Sequence, residues 1–279
     1  MSARIVMRAP GHVLATVIVL ASSAASFIHA QDLDQKSESQ QTDHVAPPPP
    51  NQAMGPMDAQ EMTRLMEMDD TAPLAMLKFD RLEYGDGDGD AATSWKLSAW
   101  AGGDFDKVLL RSEGEHSRGT FDHADSEVLW DHAIASFWDT QLGVRHDFGV
   151  GPDRNWAAFG LQGLAPYWFN VEATAYVGDT GRTALRLEVD YDLSLTQRLI
   201  LQPRLELNAY GVADPEAHIG AGLSDAEIGL RLRYEIRREI APYIGVEHVR
   251  RFGGTASLVE NDGVDAGETR WVAGIRVWY

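Results

Sequence analysis

Six methionines lie between residues 54 and 76 (Met54, Met57, Met62, Met66, Met68 and Met76), and residues 77–279 contain none. Thioether sulfur is a soft ligand that selects Cu(I) over harder ions. The chain has no cysteine, so no thiolate competes for such an ion. Disulfides, thiolate metal sites and cysteine nucleophiles are excluded together. His44 is the imidazole near this cluster. The same stretch also reads as one short amphipathic helix, because Met62, Leu65, Met66 and Asp69 have helical spacing. Among the scattered later histidines, His116 and His123 form the best histidine–carboxylate group, beside Glu115, Asp122 and Asp125. That donor set suits Cu(II), although a lone histidine at a strand end is more often interfacial.

Other chemistries fit the sequence poorly. Asp86, Asp88 and Asp90 have the opening spacing of a calcium loop, but Ala91 stands at its sixth position and Leu97 at its twelfth. A solvated rim that attracts cations is the better reading of these aspartates. His116 and Ser117 are adjacent in an expected strand and so point to opposite faces. No His–Ser–Asn segment of the kind found in barrel phospholipases is present, and no nucleophile elbow or metalloprotease helix occurs. An enzyme is not expected.

The segments that must position these groups divide the chain in three. Arg4 and Arg8 precede the apolar stretch Val13 to Ala21. The small residues Ser22–Ser26 and the site Ile28-His29-Ala30 follow, the layout of a secretory signal over 1–30. Its removal takes away two positive charges from a chain whose formal charge is already −18. That balance argues against a nucleic-acid partner. Residues 31–76 have no aromatic residue and pass through Pro47–Pro50. Such a composition cannot bury enough apolar surface to offset chain entropy, so a disordered, Met-bearing segment with a polyproline spacer is expected.

Residues 77–279 alternate with period two. Leu185, Leu187, Val189, Tyr191 and Leu193 stand against Arg186, Glu188, Asp190 and Asp192; Ile228, Leu230, Leu232, Tyr234 and Ile236 stand against Glu227, Arg231, Arg233 and Glu235. The pattern predicts about twelve strands: 78–84, 94–102, 107–117, 126–135, 137–148, 155–164, 167–178, 183–193, 198–210, 223–237, 240–253 and 269–279. Their connections alternate long and short, as in antiparallel transmembrane β-barrels with an even strand number. The chain ends on alternating apolar residues, Trp271, Ala273, Ile275 and Val277, up to the terminal aromatic Tyr279. A secreted β-sandwich also alternates but needs no such alternation of loop length. If the apolar parity faces lipid, the other parity fills the lumen. A polar network is then expected from Glu113, Arg145, Glu172, Glu188, Arg204, Glu206, Arg231, Arg233 and Glu247, with charges of both signs paired because unpaired charge in a confined site is costly.

Several segments together resemble the copper resistance protein B family (CopB, also called PcoB). They include Phe137-Trp138-Asp139 with Gly143-Val144-Arg145, the run Gly160 to Phe169 (GLQGLAPYWF), Thr196 to Arg204 (TQRLILQPR), Gly229 to Tyr234 and Ala241 to Val246. The resemblance covers essentially 74–279. It implies a non-enzymatic protein of the bacterial outer membrane that binds or passes copper. In that family the N-terminal region carries repeated Met/His/Asp motifs; here Met54-Gly55-Pro56-Met57-Asp58 resembles one, followed by the sparser Met62, Met66 and Met68.

The expectation is therefore a signal peptide (1–30), a periplasmic Met-bearing segment (31–76) and an outer-membrane β-barrel (77–279). Copper is the expected cargo, as Cu(I) at the methionines and as Cu(II) at histidine–carboxylate groups. Expected partners are outer-membrane lipid and a periplasmic multicopper oxidase or copper chaperone. The alternative is a general cation-permeable or structural barrel without a copper role.

Overall fold

In the computed structural model, residues 73–87, 91–149 and 151–279 are described. The expected signal peptide lies outside the described residues, as do His44, Met54, Met57, Met62, Met66 and Met68. The described chain is almost entirely antiparallel strand. In order these are β1 (Leu74–Gly87), β2 (Ala92–Gly102), β3 (Asp106–Ser117), β4 (Thr120–Ala135), β5 (Trp138–Gly149), β6 (Arg154–Ala165) and β7 (Phe169–Gly178). They continue with β8 (Thr183–Asp190), β9 (Leu193–Ser194), β10 (Leu199–Tyr210), β11 (Gly222–Tyr234), β12 (Ile240–Arg251) and β13 (Gly267–Trp278). Each strand pairs with its neighbour in sequence, except that β8 and β9 both pair with β10, and β1 pairs with β13 from Lys78↔Trp278 to Gly87↔Arg270, which closes the sheet into a barrel.

The barrel has twelve staves because β8 and β9 are two pieces of one. Both pair with β10, through Arg204↔Asp190 and Leu201↔Leu193. The break at Tyr191 and Asp192 faces Pro203 of β10, whose carbonyl accepts the Tyr191 N–H at 3.2 Å. Proline has no N–H to return, so the ladder lapses there. An even stave number brings the start of β1 and the C-terminus to the same end, called here the terminal end; the other is the distal end.

The faces are inverted relative to a water-soluble fold. Along β4, Val128 and Trp130 are each 50% exposed while Leu129 between them is 1% exposed. Outward residues elsewhere include Leu110, Leu142, Val144, Phe159, Leu185, Ile228 and Ile244, and the opposite parity is rich in charge. Aromatic residues ring both edges of this apolar surface. Trp95, His116 and Phe148 surround Phe121 at the distal end, and Trp130 with His132 and Phe169 with Tyr191 mark the terminal end. From Phe121 to Trp130 a strand tilted by about 40° rises about 23 Å, close to the apolar band of about 25 Å in outer-membrane barrels. A sandwich would bury the apolar parity instead.

Several boundaries differ from the sequence expectation. The first strand begins at Leu74, so Met76 belongs to the barrel. The expected loop over 118–125 is mostly strand, closed by a two-residue turn at Arg118 and Gly119 with φ of 47° and 86°. Such a turn suits hairpin twist, and glycine accepts the positive φ without strain. The polar run Thr120–Asp125 reads as loop, yet it keeps pairing with β3 as far as Thr120↔Ser117. Among the distal connections only 211–221 and 252–266 are long. These two interlock: a helix, α1 (Gly253–Asn261), offers Thr255 Oγ1 to the Gly220 N–H at 2.8 Å and to the Ser224 hydroxyl at 3.0 Å. A Cβ on Gly220 would lie 2.3 Å from the Thr255 nitrogen, so only glycine permits this approach.

Candidate functional site

The strands place one charged residue after another along the lumen, and these pair across it. Arg186 of β8 reaches Glu113 of β3 at 2.6 Å, and Lys96 of β2 reaches Glu188 of β8 at 2.5 Å. Arg204 contacts Glu188 at 2.9 Å and Glu227 at 2.5 Å, and it also bonds Glu206. Arg81 joins Glu113 and lies 3.6 Å from Glu227. Toward the distal end, Arg231 links Glu83 and Glu247 at 2.8 and 2.5 Å, and Arg270 links Glu247 and Glu115 at 3.0 and 2.7 Å. Beside them Arg145 holds Asp125 at 3.1 Å and Asp147 at 2.5 Å, with its guanidinium 4.8 Å from the Tyr176 ring. The Tyr176 hydroxyl donates to Glu127 at 2.7 Å. An apolar cluster of Leu109, Leu129, Trp156, Ala158 and Tyr176 backs this group. Buried charge is tolerated only when paired and hydrogen-bonded, and these side chains form a plug that fills the middle and distal lumen. Voids of about 10 Å³ are left beside Arg145 and Tyr210 and beside Lys96 and Asp125.

On the terminal side of the plug lies a chamber of about 510 Å³. Its walls run from Met76, Lys107, Asn170 and Arg276 at the rim to Lys96, Glu188 and Arg204 at the plug. The basic residues of its lining are Lys78, Arg81, Lys96, Lys107, Arg111, Arg204, Arg231, Arg233 and Arg276. All sit on the contiguous arc β10–β11–β12–β13–β1–β2–β3. Its acidic residues Asp131, Asp139, Glu172, Glu188, Asp190 and Asp192 come from the opposite arc, β4 to the break after β8. Asp80 is the exception, neutralised by Lys78 at 2.6 Å. Charge of the two signs is thus segregated across the chamber.

All nine residues expected in the lumenal network lie on this inner face. Glu113, Glu188, Arg204, Glu206, Arg231 and Glu247 meet in the plug, with Arg145 on its flank. Glu172 joins Arg111 at the chamber wall, and Arg233 reaches Asp192 at 2.9 Å. Sequence reasoning missed Arg81, Glu83, Lys96, Asp125, Glu127 and Arg270. Arg81 and Glu83 follow a register shift after Phe79 that breaks the simple parity. Asp125 and Glu127 share the parity of Asp131; reading 118–125 as loop hides Asp125, whereas Glu127 lies within the expected strand 126–135 and its parity is legible there.

His116 and His123 are not brought together. His116 lies on the outer face with its ring 5.3 Å from that of Phe121. His123 stands opposite Glu115 on the inner face, 3.6 Å from Asp125. Among the described residues, no three His, Asp or Glu side chains group as a metal site. A different outer row appears instead: Ser126 is the register partner of His146, and His146 Nδ1 lies 2.8 Å from Asn155 Oδ1.

Comparison with known proteins finds the following similarities. The family profile described as Copper resistance protein B precursor (CopB) matches residues 74–279. The chain is 49% identical over 213 residues to the copper resistance protein B homolog of Pseudomonas syringae pv. tomato, covering 76% of this chain and 72% of that one. It is 45% identical over 210 residues to copper resistance protein B of Escherichia coli, covering 75% and 71%. Among solved structures, the NanC porin aligns with TM-score 0.48 and 14% identity over 73% of this chain and 99% of the porin. Outer membrane phospholipase A from Escherichia coli aligns with TM-score 0.42 and 11% identity over 71% and 92%.

Proposed function

The chain belongs to the copper resistance protein B family, and from that premise we propose that it captures periplasmic copper and holds or exports it at the outer membrane. The leader 1–30 directs export. The Met-bearing segment then lies in the periplasm, where its thioethers Met54, Met57, Met62, Met66 and Met68 take Cu(I) as cargo. The observation that carries this reading is the one-sided lumen. The chamber occupies the terminal half, the half from which β1 starts and at which Met76 adds a thioether to the lining, while the plug closes the lumen beyond it. Short terminal turns and an even stave number support a periplasmic terminal end. A copper chaperone or multicopper oxidase would deliver or receive the ion on that side. The protein has no catalytic role in this reading.

The test is titration of the refolded mature protein with Cu(I) under reducing conditions, before and after replacing Met54, Met57, Met62, Met66 and Met68 with Leu. Affinity is expected to fall by at least tenfold. Unchanged affinity would remove the arm from the mechanism and leave a general cation-permeable or structural barrel as the better account.

A further inference from the structure

The distal connection 211–221 leaves its own part of the rim and reaches β6, three staves from β10. Two backbone hydrogen bonds between Asp214 and Ile219, at 2.8 and 3.0 Å, close residues 214–219 into one loop. From its base the Asp214 carboxylate collects two arginines on a single oxygen. Arg154 approaches through Nη2 and Nε at 2.9 and 3.0 Å, and Arg182 through Nε at 3.2 Å. Arg154 opens β6 and Arg182 immediately precedes β8. The loop tip lies against Gly151, where a Cβ would stand 3.1 Å from the Glu216 carbonyl oxygen. We propose that this loop is a lid over the β6–β10 sector of the distal mouth. It is hinged beside α1 and latched by Asp214, and it must lift to open the plug's flank at Arg145 and Tyr210 to the distal side.

The two sides of the loop are held differently, which decides the side that opens. Beside α1 the hold is close packing: Thr255 accepts the Gly220 N–H at 2.8 Å in a contact that admits no Cβ, and His218 Nε2 lies 2.9 Å from Asp262. On the β6 side the hold is electrostatic, shared with the exposed Glu216 at 3.4 Å from Arg154. Charged groups that water can reach are rehydrated when they part, so such a latch is reversible. Gly222 ends the loop at φ 93° and supplies the rotation a hinge needs. Directly beneath the latch, Ala184 and its register partner Tyr210 line the small void beside Arg145. Arg154 shares the inward parity of Trp156, which lies only two residues into β6 and is still buried, as a covered mouth requires. The proposal concerns the barrel alone and stands whether or not the methionines bind copper.

The chain has no cysteine, so single introduced thiols report access. Ala184→Cys places one beneath the lid, Val212→Cys one on the exposed part of the same loop, and Ala158→Cys one deeper in the apolar cluster. Each mature protein in detergent micelles is treated with iodoacetamide, a neutral reagent indifferent to the two arginines, and alkylation is followed by intact mass. With the latch intact, Ala184→Cys should react at least about tenfold more slowly than Val212→Cys. Adding Asp214→Ala should speed Ala184→Cys at least about tenfold, the scale of one charge-assisted contact, and leave Ala158→Cys unreactive. Heat-modifiable electrophoretic mobility identifies the folded variants, and Arg154→Gln with Arg182→Gln cuts the same latch from the other side if Asp214→Ala does not fold. The proposal is overturned if Ala184→Cys reacts as fast as Val212→Cys with the latch intact, or if unlatching leaves its rate unchanged. It is also overturned if Ala158→Cys accelerates in step, because the wall rather than the lid would then have loosened.

Discussion

Arg231 grips Glu83 with two hydrogen bonds, Nε to Oε2 at 3.1 Å and Nη2 to Oε1 at 2.8 Å, between residues 148 positions apart in the chain. The pair joins β11 to β1 over the two intervening staves β12 and β13. Glu83 also accepts the Tyr243 hydroxyl at 3.0 Å, and Arg231 continues to Glu247. The three charged groups are 2–4% exposed.

Removing one member of such a group leaves its partner buried and uncompensated. Glu83→Ala is therefore expected to destabilise the barrel by about 3–5 kcal/mol. Glu83→Gln should cost less, because the amide oxygen still accepts from Tyr243 or Arg231. Urea unfolding in phospholipid vesicles measures both, and equal midpoints for parent and Glu83→Ala would contradict this view of the plug.

The plug should also set permeability. The cross-lumen pair of Arg186 and Glu113 can be deleted without changing net charge, by Arg186→Ala together with Glu113→Ala. The double variant is expected to conduct at least about twofold better than the parent in planar bilayers, since the widened region loses its bridging side chains. Equal single-channel conductance would mean that ions already bypass this pair.

The outer row Ser126, His146 and Asn155 resembles a nucleophile, base and orienting group in order of adjacency. Ser126, however, donates toward Ser112 Oγ at 3.5 Å rather than to His146. Purified protein is expected to release no fatty acid from phospholipid vesicles with or without calcium, and Ser126→Ala should be indistinguishable from the parent. Release that disappears in Ser126→Ala would establish an enzyme after all.

Much of this architecture is legible in the chain because a barrel wall imposes a strict period of two. The runs around Leu185–Leu193 and Ile228–Ile236 give both faces at once, and with them most of the lumenal charge. What escapes the pattern has local causes. The register shift near Asp80 moves Arg81 and Glu83 into an unexpected parity, and the polar residues Thr120–Asp125 look like loop although their backbone goes on pairing. The segregation of acids and bases between arcs is illegible for a different reason. It depends on closure, which places β10–β13 beside β1–β3, and no local window of sequence contains that adjacency. The same holds for His116 and His123: close in number, they are separated by the sheet because an extra residue in β4 shifts the register between Glu115 and His116.

The seam between β1 and β13 has a consequence for how the molecule comes into being. Arg231–Glu83 and Arg270–Glu115 both connect strands near the end of the chain to strands near its start. Until the last strand is made and zipped to the first, Glu83, Glu115, Arg231 and Arg270 have only water as company across that gap. An open sheet thus keeps a wet, charged inner surface, and the long-range loop must be closed before these contacts reward it. Closure then dehydrates and pairs them in one event. The interior charge acts as a proof of completion, cementing a cylinder only when every stave is present and in register.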